Sequence, residues 1–138
     1  MKNLKTLLFS LFSLLMTSFL FGQSVENWKE KKDFHAVMSK TFHPAEEGNF
    51  EPVKMRSAEL ASKANAWRKS DIPADVQDKK AVKKSLNKLC KDSKKLNRSV
   101  KNGATNDELK IQLFALHDTF HTIVGLCNLQ DEHENHDK

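Results

Sequence analysis

Helical periodicity fills four separate stretches of this sequence, and it constrains the fold more than any other feature does. In each stretch, apolar residues recur every three or four positions, which is the spacing of one face of an α-helix. Strand signals are weak, because tyrosine is absent and no Asn-Gly or Asp-Gly turn separates alternating apolar runs. The sequence therefore predicts an all-α protein.

The predicted helices cover residues 25–43, 50–69, 74–101 and 106–129. Pro44 should end the first helix, because the residue before a proline is pushed out of the helical region. Asn49 is expected to cap the second helix and Gly103 to stop the third. Thr105 with Glu108 forms a capping-box pattern at the start of the fourth. Helices of this length with short connections predict an antiparallel, up-down-up-down four-helix bundle.

The first 22 residues are predicted to be a signal peptide rather than part of the bundle. Lys2 and Lys5 precede an apolar run over residues 7–21, and the small residue Gly22 follows it. The run is shorter than the roughly 20 apolar residues of a transmembrane helix, although an uncleaved anchor is the alternative. We therefore expect a periplasmic or secreted bundle over residues 23–129, with a polar tail over residues 130–138 and no stable membrane insertion after cleavage.

Basic charge is concentrated between residues 79 and 101. A nucleic-acid role makes little sense outside the cytoplasm, so two interpretations stay open. The lysines form either a solvated helix face or a docking surface for an acidic protein partner. Association into a homodimer is a further alternative.

The sequence gives little support to an enzymatic role. No Ser-His-Asp arrangement can be placed, and the four glycines form no phosphate-binding loop. The Glu-x-x-His pattern of di-iron bundles is also missing from the inward helix faces. We therefore expect a protein without catalytic activity.

Polar residues at predicted core positions are the main functional signal. His35 and Met38 fall in the apolar stripe of the first helix, and His117 and His121 lie four residues apart in the fourth. Burying a polar group without a partner costs about 1–3 kcal/mol, so each needs a reason to be there. Antiparallel packing pairs residue n of the first helix with roughly residue 155 − n of the fourth, which brings all four side chains to one level.

This convergence predicts a core site for copper or zinc formed by His35, Met38, His117 and His121. Imidazole suits zinc and copper, and thioether sulfur favours copper(I) or haem iron. The alternative is that the histidines are core residues hydrogen-bonded to threonine, aspartate or backbone groups. His43 could be an outlying ligand, although a cationic residue is also favourable at the end of the first helix.

The two cysteines, Cys90 and Cys127, are not expected to bond to each other. The turn near residue 103 places them about 16 Å apart along the bundle, at a rise of 1.5 Å per residue. A disulfide requires α-carbons within about 7 Å. We expect both thiols to stay reduced, or Cys127 to form an intermolecular bridge. Cys90 could also serve as an auxiliary soft ligand.

Residues 113–121, with the sequence Leu-Phe-Ala-Leu-His-Asp-Thr-Phe-His, resemble the last helix of the cytochrome c-prime family. That family has the pattern Cys-x-x-Cys-His-Asp-x-Phe-Arg, in which the cysteines tether haem and the histidine binds iron. His117, Asp118 and Phe120 match the pattern. Leu113 and Leu116 replace the cysteines and His121 replaces the arginine, which excludes covalent attachment of haem.

The resemblance extends to the related soluble b-type four-helix cytochromes, which hold haem without a covalent bond. It implies a haem b bound by His117 with Met38 or His35, and a role in electron transfer. Three hypotheses follow from the sequence. The first is a copper or zinc protein, the second is a haem b protein, and the third is a helical binding protein without a cofactor.

Overall fold

The computed structural model describes residues 22–128, which form four α-helices and contain no strand. The helices are α1 (Lys29–Glu46), α2 (Glu51–Lys69), α3 (Lys79–Lys101) and α4 (Asn106–Asn128). This confirms the all-α prediction. The predicted signal peptide up to residue 21 and the tail from residue 129 lie outside the described residues. Within residues 22–128, no helix is long and apolar enough to cross a membrane.

The helices pack in an antiparallel order around one core. At the α1–α2 contact, the indole N–H of Trp28 donates a hydrogen bond to Ser70 Oγ at 2.8 Å, and Lys63 Nζ contacts Asp33 Oδ2 at 3.2 Å. Residue numbers therefore rise along α1 as they fall along α2. Helix α3 packs against both α2 and α4, and α4 closes the bundle against α1.

Helix α1 ends at Glu46, so the prediction that it ends before Pro44 is wrong. Proline lacks an N–H and disfavours the helical region for the residue before it, but it does not forbid one more turn. Gly48 stops the helix instead, with φ of 87°. The N–H of Asn49 bonds to the carbonyl of Pro44 at 2.9 Å, and the N–H of Gly48 bonds to that of Ala45 at 3.1 Å. These two bonds form a Schellman cap.

Two other helix starts show how capping fixes the ends. Helix α3 begins at Lys79, five residues later than predicted, because the Asp78 carboxylate accepts the N–H of Ala81 at 2.8 Å. The capping box predicted for α4 is confirmed. The N–H of Thr105 donates to the Glu108 carboxylate at 2.8 Å, and the N–H of Glu108 donates to the Thr105 hydroxyl at 3.3 Å.

The predicted cap of α2 is off by one residue. Phe50 occupies the N-cap position, and its side chain makes no capping hydrogen bond. The side chain of Asn49, which was expected there, still accepts the N–H of Glu51 at 3.1 Å. Pro52 lies in the first turn, where its missing N–H is tolerated.

Aromatic rings fill the core where α1, α2 and α4 meet. The indole of Trp67 is fully buried and lies 5.5 Å from the ring of Trp28, 5.7 Å from that of Phe34 and 6.0 Å from that of Phe120, measured between ring centroids. Contacts at these distances suit the edge-to-face and tilted arrangements that aromatic pairs prefer. Three of these rings belong to α1, α2 and α4, and Trp28 is the N-cap residue of α1, so the cluster fixes how the three helices pack together.

Both cysteines are buried and neither is bonded to the other, as the sequence predicted. The Cys90 thiol points to α2, where it donates a weak hydrogen bond to Asn65 Oδ1 at 3.7 Å. It therefore faces away from the α1–α4 contact, where an auxiliary ligand would have to lie. Burial raises the pKa of the Cys127 thiol, which makes the reactive thiolate form less available.

Candidate metal-binding site

The sequence predicted correctly that His35 lies level with Phe120, but it did not predict the direction in which the histidines point. The ring of His35 stacks on that of Phe120, with centroids 5.1 Å apart and an angle of 10° between the planes. This pair obeys the expected pairing of residue n with residue 155 − n. However, His35 and His121 are exposed and His117 is half-buried. The prediction that these imidazoles lie inside the core is therefore wrong.

The prediction failed because residues that recur every seven positions were assigned to the buried face of the helix. A straight α-helix drifts about 20° around its axis with every seven residues. On α1 the buried residues include Phe34, Met38 and Phe42, which leaves His35 at the edge of the buried face. On α4 the buried face is likewise centred on other residues, namely Leu109, Leu113, Leu116, Phe120, Ile123 and Cys127. His117 and His121 lie beside this face.

His117 and His121 nevertheless form a pair with the geometry of a metal site. Their Nε2 atoms lie 3.1 Å apart, on successive turns of α4. Two imidazole nitrogens that share one zinc ion, at about 2.0–2.1 Å each, lie about 2.9–3.4 Å from one another for bond angles between square and tetrahedral. Without a metal, one ring donates its N–H to the other.

Helix α1 holds the ring of His117 in place. Phe42 is buried, and its ring stacks on that of His117 with centroids 3.7 Å apart and planes within 7°. The stacked phenyl ring removes solvent from one face of the imidazole. Burial is the main cause that lowers the pKa of His117 below its ordinary value, and the neighbouring His121 lowers it further. Both effects favour the neutral form of the ring, which is the form that binds metal.

A third imidazole, that of His43 on α1, lies near this pair. His43 Nδ1 contacts Glu46 Oε2 at 2.9 Å, one turn along α1, and this contact leaves Nε2 free. The charges of Glu46 and His43 both affect the pKa of His117, the first raising it and the second lowering it. A carboxylate that holds the far nitrogen of an imidazole is the usual support of a metal-binding histidine. The i, i+3 spacing in the sequence could have revealed this pair.

The remaining predicted ligands, Met38 and His35, do not join the histidine cluster formed by His117, His121 and His43. The thioether of Met38 is buried in the core, with 1% of the residue exposed. His35 Nε2 contacts the hydroxyl of Ser39 at 3.3 Å on its own helix. Among residues 22–128, no three histidine, cysteine, aspartate or glutamate side chains already converge on one metal position. The geometry thus provides two preformed nitrogen ligands and a neighbouring third imidazole.

No protein-family profile, curated protein or solved structure matches this chain. The likeness to the cytochrome c-prime family therefore rests on residues 113–121 alone.

The structure shows how that nine-residue segment is oriented. Leu113 and Leu116 are fully buried, whereas His117 lies at the surface edge of the α1–α4 contact. The buried ring of Phe42 stacks on His117, and its other neighbour is the partly buried ring of Phe114, with centroids 4.7 Å apart. Aromatic side chains thus fill the space next to the histidine that matches the iron ligand.

Proposed function

We propose that this protein binds a divalent transition-metal ion, copper(II) or zinc, on the exposed face where α4 meets α1. The ligands are the Nε2 atoms of His117 and His121. One observation carries the proposal, namely the 3.1 Å separation of these two atoms. Neutral imidazoles on successive helical turns bind one ion without a change in the backbone.

The chemistry of the cluster favours copper(II) or zinc over copper(I). Imidazole nitrogen binds both divalent ions well, whereas copper(I) prefers soft sulfur ligands. The thioether of Met38 is enclosed in the core, and the Cys90 thiol faces α2. Neither of these sulfur atoms is therefore available to an ion bound beside His117 and His121. A site with open positions allows the ion to exchange, which fits a carrier or buffer of metal ions in an exported protein.

His43 supplies a third nitrogen ligand in this proposal. Glu46 holds its Nδ1, so the free Nε2 can turn toward the pair on α4. A ligand from α1 would clamp the two helices together across their contact. Water completes the coordination sphere, as in zinc sites that keep an open position.

Replacing His121 by alanine tests the pair directly. We expect this change to weaken binding of copper(II) or zinc at least 100-fold in calorimetric titrations, because a single imidazole remains on α4. His35→Ala is the matched control, since it removes an exposed imidazole from the same contact and should change the affinity less than threefold. Both variants should carry His133→Asn and His136→Asn, so that the tail contributes no binding. Equal affinity in the two variants would contradict the proposal.

Replacing His43 by alanine is expected to weaken binding by about 10- to 100-fold, and Glu46→Gln by about 10-fold. The larger effect is expected at His43 because its imidazole binds the ion. The smaller effect is expected at Glu46 because its carboxylate only orients that imidazole. The measurement is the same titration, with Glu47→Gln as the control, because Glu47 is an exposed carboxylate next along the chain. If Glu46→Gln and Glu47→Gln weaken binding equally, then His43 and Glu46 act through charge alone and not as a ligand unit.

The haem and cofactor-free hypotheses have their own readouts. A haem between α1 and α4 would have to displace the rings of Phe42 and Phe114, so no contact in the structure favours it. Adding hemin to the protein should then give no Soret band of a histidine-bound haem.

A cofactor-free protein would melt at the same temperature with and without metal. A bound ion instead stabilises the fold by about 2.7 kcal/mol at 100 times its dissociation constant.

A further inference from the structure

Helix α3 carries a concentration of positive charge that the metal site does not use. Between Lys79 and Lys101 there are ten lysine or arginine residues and one acidic residue, Asp92. All ten basic residues are exposed. Asp92 pairs with Lys88 at 2.7 Å, which leaves nine cations with no acidic residue on their own helix. Such crowding of like charge costs free energy unless something outside the helix compensates it.

The cations are arranged as one continuous face. The buried side of α3 is apolar and includes Val82, Leu86, Leu89 and Leu96. At 3.6 residues per turn, the opposite side presents a row of basic residues. We call this row the basic face, and it consists of Lys80, Lys84, Lys91, Lys95 and Arg98. It is about 27 Å long at a rise of 1.5 Å per residue.

We propose that the basic face docks the protein on the surface of an anionic lipid bilayer. A row of lysines on one straight helix fits a flat surface of diffuse negative charge. Specific protein interfaces instead depend on aromatic residues and arginine, and they are depleted in lysine. The basic face contains one arginine, and α3 has no aromatic residue. The composition therefore favours a lipid surface over an acidic protein partner.

The buried side of α3 determines how the protein would sit on the bilayer. Its leucine and valine side chains are fixed in the core of the bundle, with at most 1% of each exposed for Val82, Leu86, Leu89 and Leu96. They cannot enter the bilayer without unfolding the protein. Docking is therefore electrostatic and peripheral, and added salt should release it.

The test compares two triple variants of the full chain that lose the same charge. One carries Lys80→Gln, Lys84→Gln and Lys91→Gln on the basic face. The other carries the control set Lys40→Gln, Lys69→Gln and Lys110→Gln, which are exposed lysines on α1, α2 and α4. Binding is measured by sedimentation with vesicles of 30% phosphatidylglycerol in phosphatidylcholine, and with vesicles of pure phosphatidylcholine. Subtracting the binding to pure phosphatidylcholine vesicles from the binding to anionic vesicles removes any contribution from the apolar residues 7–21.

Each lysine near an anionic bilayer contributes about a fivefold increase in partitioning, so the basic-face variant should lose about 100-fold. The control variant should lose less than fivefold, and 0.5 M salt should release the unmodified protein. Equal losses in the two variants would overturn the proposal, because net charge alone would then explain binding. Equal binding to both vesicle types would also overturn it. So would binding to soluble polyglutamate without binding to anionic vesicles, which would identify an acidic protein as the partner.

Discussion

Replacing Trp67 by alanine is expected to lower the free energy of unfolding by about 3–5 kcal/mol. The indole is fully buried and contacts aromatic rings from α1 and α4, so its removal leaves a cavity that three helices must collapse to fill. Domains of this size are stable by about 5–15 kcal/mol, and the change removes a large part of that. Chemical denaturation followed by circular dichroism measures the effect.

Two further substitutions make this test specific to packing. Met55→Ala is the control on the same helix, because Met55 is 82% exposed and its loss should change stability by less than about 0.5 kcal/mol. Trp67→Phe should cost less than Trp67→Ala. The indole N–H of Trp67 has no hydrogen-bond partner within residues 22–128, so phenylalanine also removes an unpaired buried donor. If Trp67→Ala costs no more than Met55→Ala, then the aromatic cluster does not hold the bundle together.

The order and level of the helices could be predicted because they depend on local and repeated signals. The capping box at Thr105 is a local pattern, and the structure contains it. The pairing of residue n of α1 with residue 155 − n of α4 follows from helix lengths and short turns, and the contact between His35 and Phe120 agrees with it. The sequence did not reveal Asp78 as the N-cap of α3. Apolar and small residues before Asp78 continue a helical pattern, although its side chain starts the helix by accepting a backbone N–H.

The direction of the histidines could not be predicted from spacing alone. Moving one residue along an α-helix rotates the side chain by about 100°, which separates a core position from a surface one. Phe34 and His35 are neighbours in sequence, yet the first is fully buried and the second is exposed. Both could be fitted to an apolar stripe, and only the packing against α2 and α4 decides between them. The predicted pairing of His117 with His121 is unaffected by this error. Residues four apart lie on the same side of a helix, whichever way that side faces.

Metal affinity at the proposed site is expected to fall steeply as the pH is lowered, with a limiting slope of about 1,000-fold per pH unit for three imidazole ligands. Each of the three proposed ligands, His117, His121 and His43, must lose a proton before it binds, so three protons compete with one ion. The pKa of His117 lies below its ordinary value, because burial against Phe42 and the neighbouring His121 disfavour its charged form. Competition at this ring therefore begins at a lower pH than at an ordinary histidine.

Two measurements test this pH dependence together. Titration of the metal-free protein by NMR should place the midpoint of His117 below 6.5, and Phe42→Leu should raise it by exposing the ring. Calorimetric titrations of zinc at several pH values should give the slope of affinity. His121→Ala should reduce that slope to about 100-fold per pH unit, because two imidazole ligands instead of three then compete for protons. An unchanged slope in His121→Ala would mean that other groups bind the ion, and the pair on α4 would then not be the site.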